Sequence, residues 1–318
     1  MAYTNTDTNT DTNMTTSSAL SAGMQTYYNR ELLRTFEPNL VHLQFGDEHR
    51  MPPHSGLVMN MRKLIPLETN TKALSEGDPG ESVMLAETEV TVQLQQYGEY
   101  ARCTDKLDLT HLDMDIMRRT KLFGDAGARS IDAVVREELA KCANVIYAGG
   151  KASRAELTAA DKLTSRELRK AVKTLKKNHA QTFGGYFVAI IGPDTMYDLQ
   201  EDEAFVKVSQ YQDKENIYTG EVGRLFGVRL VETTEAKIFE GAGASGADVA
   251  SVIVLGQYAY GVTSLKGAKP RVIVKPAGSA GTADPLDQIS TVGWKMDGFG
   301  AKLLQPEYAV RIECGFSA

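Results

Sequence analysis

The chain has 318 residues, enough for one large domain or for two lobes that each hold a core. Its 42% hydrophobic and 24% charged residues are the mix of a folded soluble protein, and its net charge of -6 and pI near 5.5 argue against a sequence-specific nucleic-acid reader. Three scattered cysteines without a CxxC pair, the absence of an apolar run of the ~20 residues a membrane span needs, and a start unlike a signal peptide predict reduced thiols in a protein made in the cytosol.

The first segment repeats itself: Thr4-Asn5-Thr6-Asp7, then Thr8-Asn9-Thr10-Asp11, then Thr12-Asn13. Such a tract has almost nothing to bury and cannot offset its ordering entropy, so residues 1–18 are predicted to be a disordered arm. Leu20, Met24, Tyr27, Tyr28, Leu32 and Phe36 then recur at three- and four-residue steps, which predicts a short helix limited by Pro38. From Val41 to Asp105 the pattern is extended. Val58-Met59-Asn60-Met61-Arg62 and Val90-Thr91-Val92-Gln93-Leu94 favour strands, while Leu67 to Leu85 between them is polar and holds Gly77-Asp78-Pro79-Gly80. Two strands joined by so long a span predict an extended hairpin. It has too little core to stand alone, and a neighbouring copy of the chain is the economical cover for it.

Asp113 to Ala148 carries the longest helical pattern. Ile131, Val135, Leu139, Cys142 and Ile146 share a stripe, Glu137 and Lys141 form an i,i+4 pair, and Gly149-Gly150 supplies a stop. Unbroken, this helix would run about 50 Å, with Gly124 and Gly127 as its weak points. Leu163 to Leu265 reads as mixed α/β. Thr164 and Glu167 fit a capping box before a helix with the apolar face Leu168, Val172 and Leu175. Phe187 to Ile191 is a buried strand closed by Gly192-Pro193, and Asp194 is placed to cap a second helix. Val228 to Val231 and Val252 to Leu255 are further strands, and Gly241 to Gly246 is a loop. The tail is β-rich, with Arg271 to Val274 and Tyr308 to Ile312 as its clearest strands.

No segment asks for a catalyst. Gly220, Gly223 and Gly227 lack the dinucleotide-binding spacing and the Walker pattern is absent, so they read as a turn feeding Val228. Asp105, Asp108, Asp113 and Asp115 cluster before the long helix, where its dipole accounts for them without a cation. Glu201-Asp202-Glu203 is a solvated run. His42, His49, His54, His111 and His179 form no HExxH or HxH, and G-x-S-x-G does not occur. No enzymatic activity, cofactor or metal is expected. Trp294, in Val292-Gly293-Trp294-Lys295, fits either a core aromatic or an anchor in a subunit contact.

Several words in order carry a resemblance. They are Tyr27-Tyr28-Asn29-Arg30-Glu31-Leu32-Leu33, Pro38-Asn39-Leu40-Val41-His42 with Phe45-Gly46, and Val92-Gln93-Leu94-Gln95-Gln96-Tyr97-Gly98 with Thr104-Asp105. Thr219-Gly220-Glu221-Val222-Gly223 leading through Phe226-Gly227-Val228-Arg229 to Val231-Glu232-Thr233, and Thr291-Val292-Gly293-Trp294-Lys295, complete the set. Over about Met24 to Cys314 the chain resembles the N4-like tailed-bacteriophage major capsid protein family.

The resemblance implies the Hong Kong 97-like capsid fold, an α+β architecture. It would place an N-terminal arm and short helix at 1–40 and an extended loop (a long β-hairpin) at 41–105. A peripheral lobe with a spine helix would follow at 106–162, and an α/β axial lobe at 163–265. A C-terminal β-rich segment at 266–318 would return to the peripheral lobe. The implied function is self-assembly through hexamers and pentamers into an icosahedral shell around double-stranded DNA, in a virion assembled in the host bacterial cytoplasm. Portal, scaffold or decoration proteins would be further partners, and packaged DNA would be met by non-specific proximity only. Lys72, Glu76, Asp78 and Glu81 at the loop tip, and Trp294, are the expected inter-subunit contacts. An encapsulin-type nanocompartment shell is the alternative. A small-oligomer enzyme or binding module would leave the hairpin unexplained.

Overall fold

The computed structural model describes residues 29–30, 32, 34, 40–52, 54–64, 71–73, 76–77, 84, 87–105, 116–202, 205, 224–265, 269–279 and 284–317. The arm expected over residues 1–18 lies outside them, as does most of the helix expected before Pro38, of which Asn29, Arg30, Leu32 and Arg34 are helical.

In chain order the strands are β1 Asp47–Met51, β2 Val58–Leu64, β3 Glu87–Gln93 and β4 Gln95–Thr104, followed by helix α1 Ile116–Leu139 and β5 Val145–Tyr147. Helix α2 Ser165–Lys177, β6 Phe187–Ile191 and helix α3 Pro193–Gln200 come next. The rest is strand: β7 Arg224–Leu225, β8 Val228–Glu232, β9 Ile238–Phe239, β10 Val249–Leu255, β11 Tyr260–Leu265, β12 Arg271–Lys275, β13 Ile289–Leu303 and β14 Ala309–Cys314. The chain divides into two compact units.

The larger unit comprises residues 40–96, 129–268 and 297–318. Its main sheet runs β5-β14-β10-β6-β8-β7, with β9 also on β10. The sequences FVAII of β6 and VASVIVL of β10 have no polar face, because both sides of these strands are covered. Leu168, Val172 and Leu175 of α2, Met196 and Leu199 of α3, and Val310 and Ile312 of β14 join them in one core. Each such side chain, fully buried, contributes about 1.5–3 kcal/mol. Phe226 and Gly227, both at positive φ (51° and 80°), make the two-residue turn that pairs Leu225 with Val228. Gly227 thus feeds Val228 as expected, while Gly220 and Gly223 lie outside the described residues.

Helix α1 corrects the sequence reading. It ends at Leu139 instead of Ala148. Val145-Ile146-Tyr147, β-branched and aromatic, pairs in parallel with Arg311-Ile312-Glu313, and a ladder beside β14 outweighs one more helical turn. Ile131, Val135 and Leu139 keep the buried stripe, and Cys142 leaves it for a turn where its thiol donates to the Ala309 carbonyl at 3.1 Å. The Glu137–Lys141 pair does not form. Lys237 takes Glu137 at 2.7 Å, and Lys141 takes Glu138 at 2.6 Å. The helix passes Gly124 and Gly127 without a break. Asp132, on its inner side, is fully buried and ties down the entry segment. Its carboxylate accepts from the His42 amide at 2.7 Å and the Leu43 amide at 3.3 Å, and lies 2.5 Å from His42 Nδ1. The Tyr260 hydroxyl donates to the His42 carbonyl. Burial, then the neighbouring Asp132 charge, pushes that phenol far above its ordinary value, so it stays protonated as the donor.

The caps also differ from expectation. The Thr164 hydroxyl donates to the Glu167 carboxylate rather than accepting from a helix amide, and the Ser165 amide is capped by Asp202 at 2.7 Å. Gly192, not Asp194, is the N-cap of α3, with Pro193 in its first turn. Several buried charges of this unit are paired. Arg154 makes a two-pronged bond to buried Glu313 at 2.6 and 2.8 Å while lying 3.6 Å over the Phe239 ring.

The smaller unit comprises residues 1–39, 97–128 and 269–296. In it β12 pairs antiparallel with residues 291–295 of β13, and β4 also lies on β13. Gly293 permits the close approach, since a Cβ there would sit 2.5 Å from the Glu99 carbonyl oxygen. The Asn29 side chain accepts from the Val272 amide at 2.9 Å. Cys103, Cys142 and Cys314 are all free and buried, and burial pushes the Cys314 thiol up to about 12.

Asp198 makes the pH dependence of the larger unit testable. Burial alone would raise its carboxyl, but bonds from Ser317 and Lys162 hold it below the ordinary 3.8. A depressed carboxyl adds stability that is present above its unfolded value and lost as pH falls through the lower folded value. Denaturant midpoints measured between pH 2.5 and 6 should therefore fall less steeply below pH 4 for Asp198→Asn than for the natural protein.

Candidate assembly surface

The strands β2 and β3 form an antiparallel ladder from Val58 opposite Gln93 to Leu64 opposite Glu87. Period-two alternation sends Met61 and Val92 inward, 4% and 2% exposed, with Leu94 buried beside them. These side chains root the hairpin in the larger unit. Gly261 of β11 gives Met61 its place, for a Cβ there would lie 2.7 Å from Met61 Sδ. Gly300 of β13 does the same for Val92, whose Cγ1 would be 2.8 Å away. Lys63 adds an ion pair to Glu307 at 2.7 Å. Its hydrogen bond holds the Glu307 carboxyl below the ordinary value against the opposing effect of burial.

The outward face is polar. Asn60, Arg62, Glu87, Glu89, Thr91 and Gln93 are exposed. Thr91 bonds Asn60 across the strands at 3.1 Å, and Arg62 lies 3.5 Å from Glu87. Leu57 and Val58 at the entry to β2 are 61% and 52% exposed, and Met84 is 90% exposed. Isolated apolar side chains on a surface are ordinary, but here they accompany a ladder whose buried side chains, among the described residues, are Met61 and Val92, with Leu94 beside them.

Of the expected contact residues, Lys72 and Glu76 are exposed, and Asp78 and Glu81 lie outside the described residues. Trp294 is 3% exposed and sits in β13 opposite Val272, within the smaller unit. Asp105 is described, its amide bonded to the Gln288 carbonyl at 2.9 Å, while Asp108, Asp113 and Asp115 fall outside. Among the described residues no group of three or more His, Cys, Asp or Glu gathers in a metal-binding arrangement. No described helix is long and apolar enough to cross a membrane. The residues that the sequence reading missed are Gly261 and Gly300. A glycine inside a strand can mark a close approach of another chain segment, but the strands holding these two were not read from the sequence.

The chain is thus a mixed α+β protein with a β2–β3 hairpin held at Met61 and Val92. The chain belongs to the phage capsid protein family, which matches it over residues 87–312. No curated protein matches it. Among solved structures, the capsid of Ralstonia phage GP4 resembles it with a TM-score of 0.67 at 14% identity, covering 100% of this chain and 99% of that one. The capsid of Cyanophage P-SCSP1u gives 0.65 at 16% identity, over 86% and 87%. A virus-like particle from Pyrococcus furiosus gives 0.53 at 12% identity, over 91% and 99%. The α+β capsid fold expected from the sequence is thus the fold found.

The glycine seats can be tested by overpacking. Gly261→Val should lower unfolding stability by about 1–3 kcal/mol, and adding Met61→Ala should restore part of the loss by vacating the space. Strictly additive losses in denaturant titrations would show that Met61 does not occupy that seat.

Proposed function

We propose that the chain is the major coat subunit of a tailed bacteriophage of the N4-like type. Copies would join through hexamers and pentamers into an icosahedral shell around double-stranded DNA. In this reading residues 41–105 are the extended loop, 106–162 the peripheral lobe with α1 as its spine, 163–265 the axial lobe, and 266–318 the segment that returns to the peripheral lobe. Assembly takes place in the host bacterial cytoplasm, and the shell meets a portal and scaffold or decoration proteins.

The hairpin carries this reading. An antiparallel pair of this length does not stand in water on three buried side chains, and a neighbouring copy is the cover that closed symmetry supplies at every position. Lys72, Glu76, Asp78 and Glu81 then set the register of the blade on the next subunit by ion pairs at its rim. Trp294, buried in β13 of the smaller unit, would support an inter-subunit contact made by that unit's own sheet. Many modest contacts repeated around a closed shell add up to a durable one. The likeness to the Pyrococcus furiosus virus-like particle supports a second reading, an encapsulin-type nanocompartment, which protein cargo in place of DNA inside purified shells would favour.

Replacing residues 65–86 by an Asn-Gly turn keeps the β2–β3 ladder and removes the blade. Sedimentation velocity should show shells or rings for the natural chain and small species for the shortened one. The exposed single changes Lys72→Glu and Glu76→Lys, which leave folding intact, should slow assembly measurably by light scattering. Assembly at the natural rate in all three variants would refute the hairpin's role.

A further inference from the structure

Helix α2 holds six of the chain's 35 Lys and Arg residues within Ser165–Lys177. Its inner face, Leu168, Ala171, Val172 and Leu175, is buried in the core of the larger unit. Its one acid, Glu167, is buried too, and reaches Lys170 at 3.7 Å. Arg166, Arg169, Lys173 and Lys176 follow at steps of three and four, so they line one outer stripe, with Lys170 and Lys177 beside it. At 1.5 Å per residue the stripe from Arg166 to Lys177 is about 16 Å long.

Helix stability does not account for this pattern. Cations in the last turn, Lys176 and Lys177, suit the helix dipole, but Arg166 stands in the first turn, where it disfavours a cation. Like charges three and four residues apart also repel one another. Among the described residues Arg166, Lys173, Lys176 and Lys177 have no ion-pair partner. The Arg169 guanidinium bonds the Ser165 carbonyl at 3.3 Å and lies 5.1 Å over the Phe226 ring. No large exposed hydrophobic residue lies on α2. A protein partner would be expected to find an apolar anchor in such a contact. A charged stripe without one suits a linear polyanion with evenly repeated charge.

We propose that the outer face of α2 binds the phosphate backbone of nucleic acid, without regard to base sequence. The inference rests on the reading of the chain as the coat of a DNA-filled shell, and goes beyond the mere proximity to DNA that the resemblance implies. Contacts of this kind position a backbone and release counterions, so salt is their signature.

The test is a fluorescence titration of the full-length protein with a 20-base-pair duplex of mixed sequence, at 50 and 200 mM salt. Four phosphate contacts predict about a 100-fold loss of affinity between those two salts. Lys173→Ala/Lys176→Ala/Lys177→Ala, changes that raise helix propensity, should bind more weakly and lose only about fourfold over the same range. Lys151→Ala/Lys269→Ala/Lys275→Ala, at exposed lysines outside α2, should titrate like the natural chain. Equal DNA affinity and salt dependence for the α2 variant would overturn the proposal. So would tighter binding of a polyglutamate of equal charge, which would assign the stripe to an acidic protein segment. Electron micrographs of the same preparations judge the coat reading separately. Shells from the α2 variant would uphold that reading whatever the titration shows. The salt dependence, in turn, would stand as a property of α2 if no shells formed.

Discussion

The hairpin β2–β3 stands on two residues that have no side chain. Met61 and Val92 occupy the volumes that a Cβ on Gly261 and Gly300 would take, so both sequences are fixed together. This constraint sets the register. A slip of one residue would turn Met61 and Val92 to solvent and press Arg62 or Thr91 onto the glycines, which a pleated strand cannot absorb. Among the described residues of the ladder's outer face, Asn60, Arg62, Glu87, Glu89, Thr91 and Gln93 are polar and exposed, and Thr91 bonds Asn60 across the strands.

Beneath the hairpin the larger unit spends its buried charges on joining distant segments. Asp132 of α1 gathers the backbone of residues 42 and 43, and Tyr260 secures the same segment from β11. Glu313 of β14 holds Arg154, and Asp198 of α3 holds Ser317 and Lys162. Each of these carboxylates is paired or accepts hydrogen bonds, and leaving one partner of such a group unpaired in the interior is strongly destabilising. The sheet core supplies the bulk of the stability, and these links fix where the chain ends and the entry segment attach to it. Such links suit a protein whose copies meet repeatedly through the same surfaces.

Much of this was legible in the sequence. The strands at Phe187, Val252 and Arg271, the amphipathic face of α2 and the hairpin pair all follow from periodicity and β-propensity. The helix expected to reach Ala148 was over-extended because Cys142 and Ile146 continue its apolar spacing, and only the presence of β14 makes Val145–Tyr147 a strand. The longest strand, β13, went unread because Gly293, Gly298 and Gly300 lower local β-propensity, although Gly293 and Gly300 are what let β4 and the hairpin approach. Of the expected contact residues, Lys72 and Glu76, both exposed, were named from the resemblance. The seats at Gly261 and Gly300 needed the partner strand in view, since a glycine's emptiness has meaning only beside what fills it.

Negative-stain electron microscopy of the full-length chain expressed alone tests the central claim most directly. Closed shells, or rings the size of hexamers and pentamers, built from this one polypeptide are the expected result. A protein that stays monomeric or dimeric at every concentration and salt would contradict it.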